Sequence, residues 1–321
     1  MNNHKSKRHT FRTSLIAGLL AMIGTSAQAA LTFEFNFQGD FNGSTPNQIT
    51  ARNAVIKSGQ LFSDMFATHF IDTATISFDV ISSTSGLAAA GSAGIAASGF
   101  GNGEVIRNKV ISGGANDLNG ADKDGFIFFN LTTNFQYDPA ATVDFTNGQI
   151  DFYSVVDHEL THAFGFGSNI GAAGDKPDAY TKWDQFLATK DGTSIVNADG
   201  SVNLVAYADA QTNGGIFTGA NATAAYGAKV PLVKNLDISH LATHEFSSPQ
   251  VLQNALLLCC GGENVNFEPR DYNLAEIGIL TDLGYTRRVS EVPLPASLPL
   301  MVSGLLGALG IMRKRRPVQT S

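Results

Sequence analysis

This 321-residue chain contains little cysteine and, away from its two ends, little positive charge. Its only two cysteines, Cys259 and Cys260, are adjacent, which excludes a framework of several disulfides. They can form a strained vicinal disulfide, pair between chains, or stay buried as free thiols. Residues 30–292 carry 13 basic and 28 acidic groups, a net charge of −15. This balance argues against nucleic acid as a partner.

Long apolar runs are also scarce, and the two that exist lie at the ends. Near the start, four basic residues precede the apolar run Leu15–Ile23, and Ala27-Gln28-Ala29 follows it. The run is too short for a standard membrane span. The order of these parts predicts a signal peptide over residues 1–29, cleaved near Ala30 after export through the Sec translocon. An uncleaved anchor is the alternative.

The C-terminal end has three parts in order. Val292-Pro293-Leu294-Pro295-Ala296-Ser297 is followed by the apolar stretch Leu298–Met312 and then by four basic residues, 313–316. Residues 291–321 resemble the PEP-CTERM sorting tail of Gram-negative bacteria in its Val-Pro-Leu-Pro-Ala variant, with Leu294 where the commonest form has Glu. The resemblance implies an exported protein that is retained in the inner membrane and processed by an exosortase. A plain transmembrane anchor is the alternative.

The most informative motif between these ends is His158-Glu159-Leu160-Thr161-His162. Helical periodicity around it, with Asp151 as a candidate N-cap and Gly165 as a stop, predicts a helix. Positions four apart share a helix face, so the two imidazoles can bind one zinc ion. Glu159 can then take a proton from the attacking water. The alternative is a partly buried helix that carries two histidines by chance.

Other segments predict a mixed α and β chain. The strands are expected at 31–37, 74–80 and 125–130, and the helices at 49–66 and 273–283. Residues 85–103 are rich in Gly, Ala and Ser and predict a loose loop or edge segment. The strand at 125–130 can flank a cleft and pair with an extended substrate, or it can simply be buried in a sheet.

A catalytic zinc site needs a third protein ligand. The chain after the signal peptide has five histidines, at positions 69, 158, 162, 240 and 244. The sequence after His162 resembles the extended motif of the metzincins, in which a third histidine follows a glycine turn. Here Ser168 stands at the position of that histidine. Leishmanolysin-like metzincins have an insertion before a later histidine in a Ser-His context. Ile238-Ser239-His240-Leu241 is similar to that pattern, 78 residues after His162.

The resemblance covers roughly residues 50–286 and is strongest from residue 151 onward. It implies a metzincin-like α+β peptidase domain over residues 30–290. A mixed sheet and the active-site helix would form an upper lobe (30–166), and a mostly irregular or helical part would form a lower lobe (167–290). It also implies His158, His162 and His240 as zinc ligands and Glu159 as the base. The chain departs from the family in lacking its methionine below the metal; residues 254–261 place leucine there.

Several candidates stay open at the level of sequence. His244 competes with His240 as the third ligand, because four residues separate them. Calcium has two weak candidate sites, and Tyr272 or Tyr285 can hydrogen-bond an oxyanion. The calcium candidates are Asp117, Asn119, Asp122 and Asp124, and Asn197, Asp199 and Ser201. Neither group has the terminal Glu of a complete calcium loop, so solvated turns are the alternative.

Together these patterns predict an exported zinc metalloendopeptidase of the cell envelope or extracellular space, with polypeptide substrates. Glu159 is its expected catalytic residue. The rival hypothesis is a catalytically inactive metzincin-like envelope or matrix protein with a structural or adhesion role. Ser168 and the missing methionine favour the rival, whereas Glu159 opposes it, since a purely structural zinc site needs no general base.

Overall fold

A computed structural model describes residues 31–171, 179–234, 238–242 and 270–288 of the chain. The predicted signal peptide and sorting tail lie outside the described residues, as do His244, the two cysteines and the leucine-rich stretch at 254–261. Within the described part, no helix has the length and apolar character that a membrane span requires.

The main sheet has four strands in the order β1-β2-β4-β3. They are β1 (Thr32–Phe37), β2 (Thr75–Ser83), β3 (Ala88–Ser92) and β4 (Gly125–Asn130). β1, β2 and β4 are parallel, whereas β3 pairs antiparallel with β4 and forms one edge. The three predicted strands are therefore present, and the segment at 85–103 contains the edge strand.

β4 is an interior strand, so the hypothesis that it pairs with a substrate is wrong. Ile127 pairs with Val80 of β2 on one side and with Ala90 of β3 on the other. Both rows of β4 backbone groups are therefore used within the sheet. Burial in a sheet, the other prediction, is confirmed, because Ile127 and Phe129 are fully buried.

Helix α1 (Pro46–His69) packs against β1 and extends beyond the predicted segment at both ends. Thr45 caps it through a reciprocal contact with Gln48, and Pro46 occupies the first turn, where its missing N–H costs nothing. Its buried face carries Phe62 and Phe66, whose rings lie 5.2 and 5.5 Å from the ring of Phe164. This aromatic cluster joins α1 to the residue that follows the motif helix.

The remaining elements are short. They are the helices α2 (Val105–Ile111), α3 (Phe152–Ala163), α4 (Leu204–Asn213), α5 (Ala220–Tyr226) and α6 (Leu274–Asp282), and the strands β5 (Phe135–Gln136), β6 (Ile150–Asp151), β7 (Leu187–Thr189), β8 (Gly215–Phe217) and β9 (Val230–Pro231). β7, β8 and β9 form a small antiparallel sheet that was not predicted. α6 matches the predicted closing helix within one residue at each end.

The fold is thus mixed, with helices and sheets, consistent with the predicted α+β class. α5 and α6 pack closely, since a Cβ at Gly278 would lie 2.6 Å from the Cα of Ala222. The boundary between two lobes at residue 166 stays a prediction.

Candidate metal centre

The motif lies on α3, and Asp151 caps the helix as predicted. Its carboxylate accepts hydrogen bonds from two backbone N–H groups of the first turn, at 3.1 and 3.3 Å. Gly165 follows the last turn with a φ of +93°. A Cβ at this position would lie 2.7 Å from Oε1 of Glu104. Conformation and space therefore both favour glycine where the helix ends.

The helical spacing brings the first two histidines together. His158 and His162 are one turn apart on α3, with ring centroids 4.6 Å apart and Nε2 atoms 3.0 Å apart. His158 is almost completely buried. The helix alone therefore supplies two convergent imidazoles.

His240 joins this pair from a distant part of the chain. Its Nε2 lies 3.1 Å from Nε2 of His162. The backbone around it is held beside β9, because the His240 carbonyl accepts from the N–H of Val233 and the N–H of Ala242 donates to the carbonyl of Pro231, both at 3.0 Å. The predicted third histidine is thus placed at the pair by tertiary contacts.

The spacing of the three Nε2 atoms suits a metal ion. Nitrogen ligands about 2.0–2.1 Å from a tetrahedral zinc ion lie about 3.3 Å from one another, within a few tenths of an ångström of the two measured separations. Across the part of the chain that is described, only these histidines form a convergent group of three His, Cys, Asp or Glu residues, with ligand atoms all within 4.8 Å. The three side chains lie close enough to bind one metal ion.

The protonation of His162 also fits metal binding. Its Nδ1 lies 2.6 Å from the carbonyl oxygen of Phe166. A carbonyl only accepts, so this contact assigns the proton to Nδ1 and leaves a lone pair on Nε2. Burial, together with the nearby His240, lowers the pKa of His162 to about 3. His162 is therefore neutral and directs an unprotonated nitrogen toward the other two rings.

Glu159 lies beside these rings, and only 3% of its surface is exposed. Burial raises the pKa of Glu159 to about 8, and a hydrogen bond from the backbone N–H of Ala90 opposes that rise. The contact joins the motif helix to the edge strand β3. A buried carboxyl with a raised pKa next to a metal-binding cluster is the environment of a general base.

An open cleft of about 1220 Å³ contains this cluster. One wall is the edge strand and its extensions, residues 86–96, whose side chains are mostly small. The motif helix contributes His158, Glu159 and His162, and the opposite side includes Tyr180 and His240. The three histidines and Glu159 therefore line the same open cleft.

Ser168, which stands where the metzincin motif has its third histidine, supports His240 instead. Its backbone N–H donates to Oγ of Ser239 at 2.9 Å. Ser239 is buried, and a Cβ at Gly167 would come within 3.5 Å of the same Oγ. The turn after α3 therefore anchors the residue next to the distant histidine.

A partly buried ion pair anchors the start of α3. Arg270 donates from Nε and Nη2 to the two carboxylate oxygens of Asp151, both at 2.8 Å, and from Nη1 to the carbonyl of Pro139 at 2.7 Å. Only 2% of the Asp151 side chain is exposed. The capping carboxylate is thus fixed from both sides.

A second group of buried acids contains Glu104, which lines the cleft, and Asp184. Glu104 accepts from Nε of Arg107 at 2.9 Å and from the N–H of Lys182 at 2.8 Å. Burial raises its pKa to about 7, although the Arg107 charge opposes the rise. Burial likewise raises the pKa of Asp184 to about 6, and its carboxylate accepts from the N–H of Thr181. These contacts join α2 to the loop at 179–184.

The proposed oxyanion role of the tyrosines is wrong. The hydroxyl of Tyr285 donates to the carbonyl of Phe164 at 2.7 Å, and the hydroxyl of Tyr272 bonds with Thr161 at 2.9 Å. Both side chains are buried in the core and neither lines the cleft. Their hydroxyls stabilise packing around α3.

A lysine occupies the centre of the first calcium candidate. Nζ of Lys109 lies 3.0 Å from carboxylate oxygens of Asp117 and Asp124. Oδ2 of Asp124 also accepts from Ser77 at 2.7 and 3.0 Å. The ammonium engages two of the four candidate ligands, so the structure favours an ion-pair network over a calcium site at this group.

The second calcium candidate is a local turn. Asp199 accepts from the N–H and hydroxyl of Ser201 at 3.0 and 2.6 Å, and the amide of Asn197 donates to that hydroxyl at 3.0 Å. These short-range bonds use the oxygens that a calcium ion would need. The prediction of a solvated turn describes this segment better.

Two residues of the site were missed in the sequence. Ala90 belongs to a strand without β-branched residues, and no strand pattern marks it. Ser239 was noted only as a neighbour of His240. The Ser-His pair itself was the available signal for its position.

No family model matches this chain, and no curated protein or solved structure is detectably similar to it.

Proposed function

We propose that this protein is a secreted zinc metalloendopeptidase of metzincin-like fold. The observation that carries the proposal is that His158, His162 and His240 converge beside Glu159 in one open cleft. A structural metal site is usually closed, whereas a catalytic site keeps one position accessible. The mixed sheet, with the motif helix packed against its edge strand, supports the same assignment.

When bound, zinc supplies a Lewis acid beside the scissile carbonyl and the attacking water. Glu159 accepts the proton of that water and then delivers it to the leaving amine. Its burial raises the pKa of the carboxyl, which makes the carboxylate a stronger proton acceptor. Neutral His162, with its proton on Nδ1, keeps its Nε2 available as a ligand.

The edge strand β3 binds the substrate as an extended chain in this proposal. The carbonyl of Leu87 accepts from Asn130, and the N–H of Ala93 donates to Asp124, so odd-numbered residues of this stretch bond inward to β4. Even-numbered residues therefore direct their backbone groups outward. A peptide can add to this edge by backbone hydrogen bonds. Such bonds select an extended conformation more than a particular amino-acid sequence.

The ends of the chain complete the proposal. The signal peptide sends the protein through the Sec translocon, and the tail at 291–321 retains it in the inner membrane for an exosortase. Expression with a C-terminal epitope in a Gram-negative host with and without the exosortase tests this assignment. We expect loss of the epitope only when the exosortase is present.

The decisive experiment measures zinc content by mass spectrometry and hydrolysis of an unfolded protein substrate. Wild type should contain one zinc per chain and cleave the substrate. Glu159→Ala should retain the zinc and lose about 10²–10⁴-fold in kcat. Glu159→Gln, which keeps the shape of the side chain, is the matched control for packing.

One bound zinc without cleavage of several substrates by wild type would leave only the inactive envelope or matrix protein. That rival is weakened by the role of Ser168. Its backbone braces Ser239 while His240 takes the ligand position.

A further inference from the structure

We propose that Phe126 is a specificity-determining residue, which selects polypeptide substrates that carry a large apolar side chain opposite Gly91 of the edge strand. The inference rests on the proposed function, because it concerns the substrate of the same cleft. The backbone of β4 is fully used within the sheet, but this one side chain of β4 crosses the edge strand where the substrate would bind.

Phe126 is an exposed aromatic residue of the cleft. It is among the residues that line the cleft, and 37% of its surface is exposed. Side chains alternate along β4, so Ile127 and Phe129 point into the core and Phe126 points to the opposite face of the sheet. Covering an exposed phenyl ring with an apolar group is favourable. The ring can therefore contribute to substrate binding.

The ring of Phe126 extends over the edge strand. Phe126 pairs with Gly91 of β3. A Cβ at Gly91 would lie 2.9 Å from Cζ of Phe126, the ring atom farthest from its own backbone, and 3.2 and 3.6 Å from the two Cε atoms. The ring thus occupies the space that a side chain at position 91 would fill. Glycine at this position lets an aromatic group from β4 reach across β3.

This placement determines which residue of a substrate meets the ring. Neighbouring strands lie about 4.8 Å apart, so a peptide added to β3 has one residue opposite Gly91 whose side chain can share the face that Phe126 occupies. Apolar groups are in contact when their atoms are within about 4.0–4.5 Å. An alanine there presents a single carbon to the ring, whereas leucine or phenylalanine presents several. The substrate residue opposite Gly91 should therefore be large and apolar.

Phe128 provides a comparison on the same face of the same strand. Its ring centroid lies 5.2 Å from that of Phe126, and it pairs with Ala89 of β3. Phe128 is not among the residues that line the cleft. The two phenylalanines thus differ in their partner on the edge strand, glycine for one and alanine for the other. This difference separates reach over a glycine from general apolar character.

Cleavage of a randomised peptide library by full-length zinc-loaded protein tests the proposal. Mass spectrometry of the products gives, for each position around the cleaved bond, the preference for Phe or Leu over Ala. At one position wild type should show a preference of about 10-fold, which should fall below about 2-fold in Phe126→Ala. Preferences at the other positions should not change. Phe128→Ala is the matched control and should keep the preference.

Two further variants separate loss of the ring from loss of folding. Phe126→Tyr keeps the ring and should keep the preference. Gly91→Ala keeps Phe126 but adds a methyl group where the ring lies, so the ring must move and the preference should fall. Tm measured for each variant reports whether it is folded. Gly91→Ala decides the question if Phe126→Ala does not fold.

A set of preferences that is the same in wild type and folded Phe126→Ala would overturn the inference, and so would an equal loss in Phe128→Ala. Failure of wild type to cleave any peptide would instead refute the proposed function. Binding of a labelled phenylalanine-rich peptide and of its alanine counterpart to zinc-loaded wild type then decides the inference. Tighter binding of the first peptide that is lost in Phe126→Ala supports it, whereas equal binding or none overturns it.

Discussion

The two helical histidines and His240 reach the same cluster by opposite routes. His158 and His162 are one turn apart on a capped helix, and their convergence follows from helical geometry. His240 is 78 residues downstream of His162 on a five-residue described segment without regular structure. One part of the site is therefore specified locally, and the other depends on tertiary hydrogen bonds.

The histidine on the loop is nonetheless well anchored. Its neighbours Ile238 and Leu241 are buried, and Leu232 and Leu241 form a β-bridge. The Ser168–Ser239 bond adds a link to the end of the motif helix. The comparison teaches that a histidine on a loop can be as constrained as one on a helix when several distant elements each contribute one contact.

Removing a ligand should have the largest effect and tests whether the two routes are equally necessary. We expect His158→Ala and His240→Ala each to contain less than one metal ion per chain. Their loss of metal affinity should exceed the roughly 10–100-fold loss that is typical when a residue that only supports a ligand is changed. His69→Ala is the control, since His69 contacts Asp271 on another surface. Metal retained in His240→Ala but lost in His244→Ala would show that the third ligand is misassigned.

The second-largest effect should come from weakening the cap of the motif helix. Arg270→Ala removes the charged partner of the buried Asp151 carboxylate, which keeps its hydrogen bonds from Tyr153 and Ser154, so we expect the free energy of unfolding to fall by about 3 kcal/mol. Arg270→Lys should recover only part of this loss, because lysine cannot reproduce the two parallel bonds. Denaturant titrations measure both. Wild-type stability in Arg270→Ala would mean that the cap needs no support.

The buried acid Glu104, which joins α2 to the loop at 179–184 beside the end of the motif helix, gives the stability a pH dependence. The folded pKa of Glu104 is raised from 4.5 to about 7 by burial, against the Arg107 charge. Its contribution to stability is therefore complete below pH 4.5 and lost as pH rises through 7. Relative to Glu104→Gln, wild type should lose about 3 kcal/mol across this window. If the free energy of unfolding differed between wild type and Glu104→Gln by the same amount at pH 4 and at pH 8, this prediction would be contradicted.

The smallest expected effect concerns the hydroxyl of Ser239 and tests its role in supporting His240. Ser239→Ala removes the acceptor for the Ser168 N–H and should weaken metal binding about 10-fold. Ser168→Ala is the comparison variant: it keeps the backbone N–H that donates to Ser239 and removes only a hydroxyl that bonds to Ile170 and Asp184, so we expect a smaller loss of metal affinity than in Ser239→Ala. Competition with a metal indicator measures both affinities. A larger loss in Ser168→Ala would assign the support to a different group.

Local patterns predicted the helical half of the site well. Asp151 as the cap, Gly165 after the last turn and the shared face of His158 and His162 all follow from short-range rules. The position of His240 came from a resemblance in its Ser-His context. Neither periodicity nor propensity could place it, because its contacts with Val233 and Pro231 are tertiary.

The edge strand shows the opposite failure. β3 is built from Ala, Gly and Ser, which have low strand propensity, and its pairing with β4 overrides that preference. The clear pattern at 125–130 correctly predicted a strand. The hypothesis of substrate binding was also assigned to this strand, although the neighbouring edge strand β3 is better placed for it. Propensity identifies strands, whereas their order in the sheet decides which one has an open edge.

Lys109 has a consequence for how the protein responds to its surroundings. Burial alone would lower the pKa of its ammonium, but the hydrogen bonds to Asp124 and Asp117 outweigh burial and raise the pKa. This cation is attached to the chain, so its effective concentration at the carboxylates does not change with dilution. A chelator that removed a metal ion from the three histidines would therefore leave in place the charge that neutralises Asp124.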